Sequence, residues 1–327
     1  MINAYINEHG RLRRIDELRP ELEQELERIV WVDLLDPTED EESLLEHAVG
    51  INLPTREEME EIELSSRLYV EEGAAFMTAQ LPAQADRDDP EMAPVTFVLT
   101  GDQLVTIRYH DPRAFKTFVQ RAFKVPLRAT SGFGALIALL EVIVDRLADV
   151  LERVGRDVEG LSRGIFQING DFPRKNRDFQ EWLEAIGRKG DLNSKIRDSL
   201  LTLERLGGFL RQVKTQGSDD PDLRARLSTL ARDIQSLTDH ASFLSQKITF
   251  LLDATLGMIN IEQNNIIKIF SVAAVVFLPP TLIASIFGMN FKHMPPVNWA
   301  GGYPLALGLM VASAALPLLF FKWRRWL

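Results

Sequence analysis

The chain has 327 residues, enough for about two domains and a sizeable core, and carries a formal net charge of −10. That acidity argues against nucleic acid as a partner, whose phosphates call for Lys and Arg. The absence of cysteine excludes disulfides, thiolate catalysis and cysteine metal sites. The near-zero mean hydropathy conceals a division. Residues 266–327 hold no Asp or Glu and carry +5 from Lys268, Lys292, Lys322, Arg324 and Arg325, which leaves −15 on residues 1–265.

Residues 1–10 lack the apolar core of a secretory signal, so residues 1–265 are expected in the cytoplasm. Residues 1–125 read as a small α/β domain. Apolar, β-rich runs occur at 29–35, 67–70, 74–79, 95–99 and 104–109. Asp36-Pro37-Thr38 opens a helical stretch with Leu44, Leu45 and Ala48 on one face. Thr55 and Glu58 have capping-box spacing ahead of Met59 and Ile62. Gly101-Asp102 reads as a hairpin turn.

Residues 126–265 read as helical. Leu136, Leu139, Leu140, Ile143, Leu147, Val150, Leu151, Val154, Val158 and Leu161 recur at helical spacing across 135–166. A polar break at 169–176 precedes a second run to about residue 214. After the turn at 217–221 no breaker except Gly257 appears before Pro279, which predicts a helix of about 60 residues. That length demands a coiled-coil or membrane explanation.

The membrane explanation is written at the end of the chain. Residues 269–287 and 303–321 are uncharged and long enough to cross a bilayer. The ending Lys322-Trp323-Arg324-Arg325-Trp326-Leu327 combines cations, which favour the cytoplasmic side, with interfacial tryptophans. Two spans then place both termini in the cytoplasm. The expected fold is an α+β membrane protein: a cytoplasmic α/β domain (1–125), a helical region and stalk (126–265) and a first span (266–287). A loop outside the membrane (288–302), a second span (303–321) and a basic tail (322–327) complete it.

Small and polar residues recur along the first span and its approach, at Asn264, Ser271, Ala274, Leu278, Thr281 and Ser285, near one helical stripe. Such a stripe suits close helix packing, or the wall of a path in a ring of identical helices. Pro279-Pro280 should bend the span. Gly288-Met289-Asn290 follows it, and an amide oxygen can accept hydrogen bonds from the water shell of Mg2+, which dehydrates reluctantly.

Gly288-Met289-Asn290 after the first of two C-terminal spans, together with the basic end, resembles the CorA magnesium/cobalt channel family. Asn260-Ile261-Glu262-Gln263-Asn264, Phe277-Leu278-Pro279-Pro280-Thr281, Met294-Pro295 and Gly302-Tyr303-Pro304 are similar to its proteobacterial members. The resemblance implies a homopentamer in the inner membrane that passes Mg2+, with Co2+ and Ni2+ as further ions. It implies a pore lined by Asn264, Ile267, Phe270, Ala274, Leu278, Thr281 and Ser285, with Gly288, Met289 and Asn290 as selectivity filter. It also implies a cationic collar of Lys322, Arg324 and Arg325, and closure by cytoplasmic Mg2+, for which Asp233, Asp239 and Asp253 are the candidate ligands. No cofactor is implied, Mg2+ being cargo and regulator. The sequence departs from the family where Phe287 stands before the glycine and where the loop 291–296 has Lys292 and no carboxylate. His293 there is a candidate ligand for a softer ion.

Two other readings compete. One is a Zn2+ transporter of the related ZntB type, which the intact Gly-Met-Asn disfavours; the other is a membrane-anchored cation sensor. No GxxxxGK[ST] segment is present to power a pump, and the five histidines show no HExxH spacing, so no enzyme is expected.

Overall fold

The computed structural model describes residues 1–9, 11–15, 28–85, 90–124, 131–166, 176–213, 219–289 and 301–324. The chain divides into two compact units, residues 1–252 and 253–327.

The first unit is organised by one sheet of seven strands: β1 (Ile2–Glu8), β2 (Arg11–Ile15), β3 (Ile29–Leu35), β4 (Leu68–Glu71), β5 (Ala74–Ala83), β6 (Glu91–Thr100) and β7 (Gln103–Arg108). Their order is β2-β1-β3-β7-β6-β5-β4. All neighbours are antiparallel except β3 and β7, which run parallel with Trp31 opposite Leu104 and Leu34 opposite Ile107. These two central strands are covered on both faces, which is why β3 reads as an apolar run broken only by Asp33, while β7 carries Leu104, Val105 and Ile107 with Thr106 buried among them.

On one face Val32, Leu34, Val98, Val105 and Ile107 pack with Leu45 of α1 (Glu39–Val49) and Met59 of α2 (Arg56–Glu60). A short α3 (Leu64–Arg67) leads into β4. On the other face Trp31 stacks on Tyr5 at 4.5 Å. It also meets Phe118 of α4 (Arg113–Lys124) edge-on at 5.2 Å. The long helices α5 (Gly132–Phe166) and α6 (Asn176–Leu210) pack against each other, α5 beside α4 and α6 on β5.

Local chemistry fixes where these helices begin. Thr38 and Glu41 form a complete capping box on α1, and Thr55 and Glu58 do so on α2. Helix α7 (Pro221–Phe287) has proline at its first position, and the Asp220 carboxylate accepts from the Asp222 N–H at 2.8 Å. Gly132 opens α5 with its N–H on Asp102 O at 2.7 Å, and a Cβ there would lie 2.3 Å from the Gln103 carbonyl carbon. Only glycine lets the helix come this close to β7.

A charged pair crosses the parallel seam between β3 and β7. Arg108 donates to both Asp33 oxygens at 3.0 and 2.8 Å, to Asp111 at 2.9 Å and to His110 O at 3.1 Å. Its guanidinium lies 4.4 Å from the Phe115 ring centre. Thr106 donates to Asp33 at 2.8 Å and accepts from Trp31 Nε1 at 3.0 Å. Asp33 and Arg108 side chains are 3% and 6% exposed.

Several expectations need correction. Leu44 does not share the buried face with Leu45, being 43% exposed, and Ile62 lies past the end of α2 with 81% exposure. Strands β1 and β2 pair antiparallel at the edge of the sheet, and 113–124 form a helix before the helical region, neither of which the apolar pattern announces. The expected long helix from residue 221 is present, 67 residues in length because it continues through Pro279 and Pro280. The polar break at 169–176 falls almost wholly outside the described residues.

The second unit contains the C-terminal part of α7, which continues through Pro279 and Pro280, and α8 (Gly302–Trp323), which contains Pro317. Among its described apolar side chains with a Cβ, only Val272 and Ala306 are buried. A core helix of a soluble protein would be largely covered. These helices instead leave Phe270, Phe277, Leu282, Val311, Leu316 and Leu319 each more than 60% exposed. Apolar helices of this length with bare surfaces are what a bilayer covers.

Candidate functional site

The second half of α7 carries the row of Asn264, Ile267, Phe270, Ala274, Leu278, Thr281 and Ser285. Spacings of three and four average about 3.5 residues per turn, so over about six turns the row drifts only about 60° round the helix. All seven side chains are exposed, with Ile267, Phe270 and Leu278 at 60%, 71% and 65%. The helix thus brings the seven onto one uncovered stripe with three bulky apolar members and three polar ones.

The hydroxyl of Thr281 donates to Phe277 O at 2.7 Å. Its proton is spent inside the helix, so its remaining lone pairs act as acceptors toward whatever faces the stripe. Pro279 and Pro280 have no N–H, and the carbonyls of Val275 and Val276 lose their usual helical donors. This stretch is therefore rich in oxygen acceptors, the chemistry a hydrated cation seeks.

Gly288 ends the helix with its N–H on Ala284 O at 2.9 Å, and Met289 N–H reaches Ile286 O at 3.3 Å. A Cβ on Gly288 would crowd Ala284 O at 3.2 Å. Met289 is 48% exposed. Asn290, Lys292 and His293 lie outside the described residues.

Lys322 and Arg324 sit at the C-terminal end of α8, where cations complement the exposed carbonyls. Arg324 stands 5.9 Å from the Phe320 ring and 5.8 Å from that of Trp323. Arg325 is outside the described residues.

Asp233, Asp239 and Asp253 occupy exposed positions on α7 and are not brought together within one chain, being six and fourteen residues apart. Asp239 accepts from Gln235 at 3.2 Å. Asp233 borders a cavity of about 250 Å3 with Glu141 and Asp145. Partial burial raises the Asp145 carboxyl above its ordinary range. Arg121 opposes that rise, and the negative charges of Glu141, Asp149 and Asp233 add to it. Arg226 engages Glu141 through two bonds of 2.9 and 2.8 Å. Among the described residues no three His, Cys, Asp or Glu side chains converge to hold a metal ion.

A folded α/β and helical unit, followed by two bare apolar helices with an acceptor-lined stripe and Gly-Met-Asn at the end of the first, defines a two-span membrane transport protein. The family model of the CorA-like Mg2+ transporter protein matches residues 27–324, and the chain belongs to that family. Curated relatives named magnesium transport protein CorA are 37% identical in Haemophilus influenzae, 38% in Pasteurella multocida and 36% in Escherichia coli K12, each over all of both chains. The fold is that of the complete CorA magnesium transporter from Methanocaldococcus jannaschii (TM-score 0.73, 20% identity, 98% of this chain and 97% of that one). It also resembles the full-length CmaX protein (TM-score 0.66, 13% identity, 100% and 98%).

Proposed function

We propose that the chain is the subunit of a homopentameric channel that admits hydrated Mg2+, and with it Co2+, across the inner membrane. Membership of the Mg2+ transporter family over the whole chain is the observation that carries the reading. The first span lines the path with Asn264, Ile267, Phe270, Ala274, Leu278, Thr281 and Ser285. That none of these is covered within one chain accords with their facing identical copies around an axis. Gly288, Met289 and Asn290 form the filter at the outer end, where five amide oxygens accept hydrogen bonds from water bound to the ion. Ile267, Phe270 and Leu278 narrow the path and close it by expelling water.

Residues 1–265 lie in the cytoplasm, as do both termini, with Lys322, Arg324 and Arg325 collaring the inner mouth. The driving force is the membrane potential, about 4.6 kcal/mol per 100 mV for a doubly charged ion. Cytoplasmic Mg2+ bound between subunits at acids such as Asp233, Asp239 or Asp253 closes the channel. The scattering of these three along one chain accords with ligands contributed by different copies.

The test is Mg2+ uptake into proteoliposomes with and without an inside-negative potential. Potential-dependent entry abolished in Asn290→Ala supports the channel and its filter. Entry of Zn2+ without Mg2+ would overturn the ion assignment, and no flux of any divalent ion would overturn the channel.

A further inference from the structure

Helix α7 packs into the first unit along a seam that repeats itself. Leu227, Leu230, Ile234, Ala241, Leu244 and Ile248 are buried at steps of three, four or seven. Gly190 of α6 lies against this seam, a Cβ there falling 3.5 Å from Ile248 Cγ2. Advancing α7 by four residues sets Ile234 where Leu230 was, Ile248 where Leu244 was and Leu252 where Ile248 was, so the aliphatic ridges still find grooves. The ion pairs of Arg226 with Glu141 and of Lys247 with Glu159 lie on long, partly exposed side chains and cost little to exchange. Neither kind of contact fixes the height of α7.

Asn193 of α6 does fix it. The residue is 1% exposed, and its Nδ2 donates to Ala241 O at 2.9 Å and to Ser245 Oγ at 2.8 Å. A carbonyl only accepts, so the nitrogen must face α7 and the orientation of the amide follows. Its Oδ1 is left buried without a donor among the described residues, which costs free energy in this register. Four residues further along α7 the same chemistry recurs with the missing donor. Ser245 takes the place of Ala241, and its hydroxyl can donate to Oδ1. Thr249 takes the place of Ser245; its own proton is spent on Ser245 O at 3.0 Å, which leaves lone pairs for Nδ2. A slip of four residues the other way offers Leu237 and Ala241, neither of which has a hydroxyl.

We propose that Asn193 holds α7 in either of two registers on α6, four residues apart, and that the register governs transport. The step is about 6 Å along the helix axis and about 40° round it. Two registers need two packings of similar quality, which the repeating seam supplies. Helix α7 is continuous to Phe287, so on the channel reading above the step carries the stripe from Asn264 to Ser285 with it.

The chain has no cysteine, so introduced thiol pairs report the register directly. Gly190→Cys is combined with Ile248→Cys, Leu252→Cys or Leu244→Cys in the full-length chain in detergent, under a mild oxidant. The pairs at 190 and 248 and at 190 and 252 are expected to form disulfides. The pair at 190 and 244 needs the opposite slip and should form about tenfold more slowly or less, since thiols a turn apart cannot bridge. Thr249→Val, at an exposed position, should slow the pair at 190 and 252 about tenfold, the worth of one hydrogen bond, and spare the pair at 190 and 248. In proteoliposomes the two locked forms should differ several-fold in Mg2+ uptake, and reductant should abolish the difference. Urea midpoints of the reduced variants are expected to match the parent, which separates a changed register from lost folding. A pair at 190 and 252 that forms no faster than that at 190 and 244, or that ignores Thr249→Val, overturns the proposal, as does equal uptake by the two locked forms. A parent chain that passes no Mg2+ would refute the channel reading instead, and the thiol pairs would still decide the register.

Discussion

Replacing Arg108 by methionine tests how the sheet of the first unit is held. The guanidinium makes two bonds to Asp33, one to Asp111 and one to His110 O, and its face covers Phe115. With Arg108 gone, Asp33 keeps Thr106 as a side-chain donor while remaining 3% exposed. An uncompensated charge in such a place costs about 3–5 kcal/mol, a large share of the roughly 5–15 kcal/mol that holds a domain together. The pair itself is worth far less than the cost of breaking it, since its formation repays two desolvations. The double variant Arg108→Met with Asp33→Asn is therefore expected to recover all but about 1–2 kcal/mol, the new amide oxygen still accepting from Thr106. Urea unfolding in detergent, followed by tryptophan fluorescence, is the assay, because Trp31 donates to Thr106 beside the pair. A loss below about 1 kcal/mol in the single variant, or a double variant no more stable than it, would refute the reasoning.

Two other substitutions probe a buried histidine and the span. His110 is 5% exposed, and burial, with Arg108 adding, lowers its imidazole below the ordinary value even though Leu81 O, Glu91 and Asp111 pull the other way. The unfolded chain then takes up a proton near pH 6.5 that the folded chain refuses, so stability falls as pH drops through that value. His110→Gln should flatten the urea midpoint between pH 7 and 5, and an undiminished slope would assign it to other groups. In the span, the proposed narrowing of the path at Leu278 predicts that Leu278→Asn raises resting Mg2+ uptake several-fold, measured in proteoliposomes. Unchanged uptake would remove Leu278 from the gate.

The central strands and the spans were legible because their signals are local. Residues 29–35 are β3, and 104–109 is β7 shifted by one, since strands buried on both faces leave continuous apolar runs. The capping box at Thr55 and Glu58 is present as its spacing implied. The edge hairpin escaped notice because Arg11, Arg13 and Arg14 make β2 look like coil, whereas charged edges are how sheets avoid further pairing. Leu44 and Ile62 failed because an apolar residue near a helical face need not be covered.

The uncovered stripe on α7 was visible as periodicity, yet the choice between close packing and a path depends on contacts beyond one chain. The pairing of Asp33 with Arg108 did leave a trace, as a charge inside the apolar run of β3 and an opposite charge at the end of β7.

The single parallel seam also sets a schedule for assembly. On one side of it β1, β2 and β3 are joined by antiparallel contacts, and on the other β4 to β7 form a meander. Each half can zip from its own turns. The seam joins partners 75 residues apart in sequence, so loop closure delays it until both halves exist. Closing the seam exchanges the hydration of Asp33 and Arg108 for the two bonds between them. Lesions at this seam should therefore lower the yield of folded chains more than the Mg2+ transport of those that do fold.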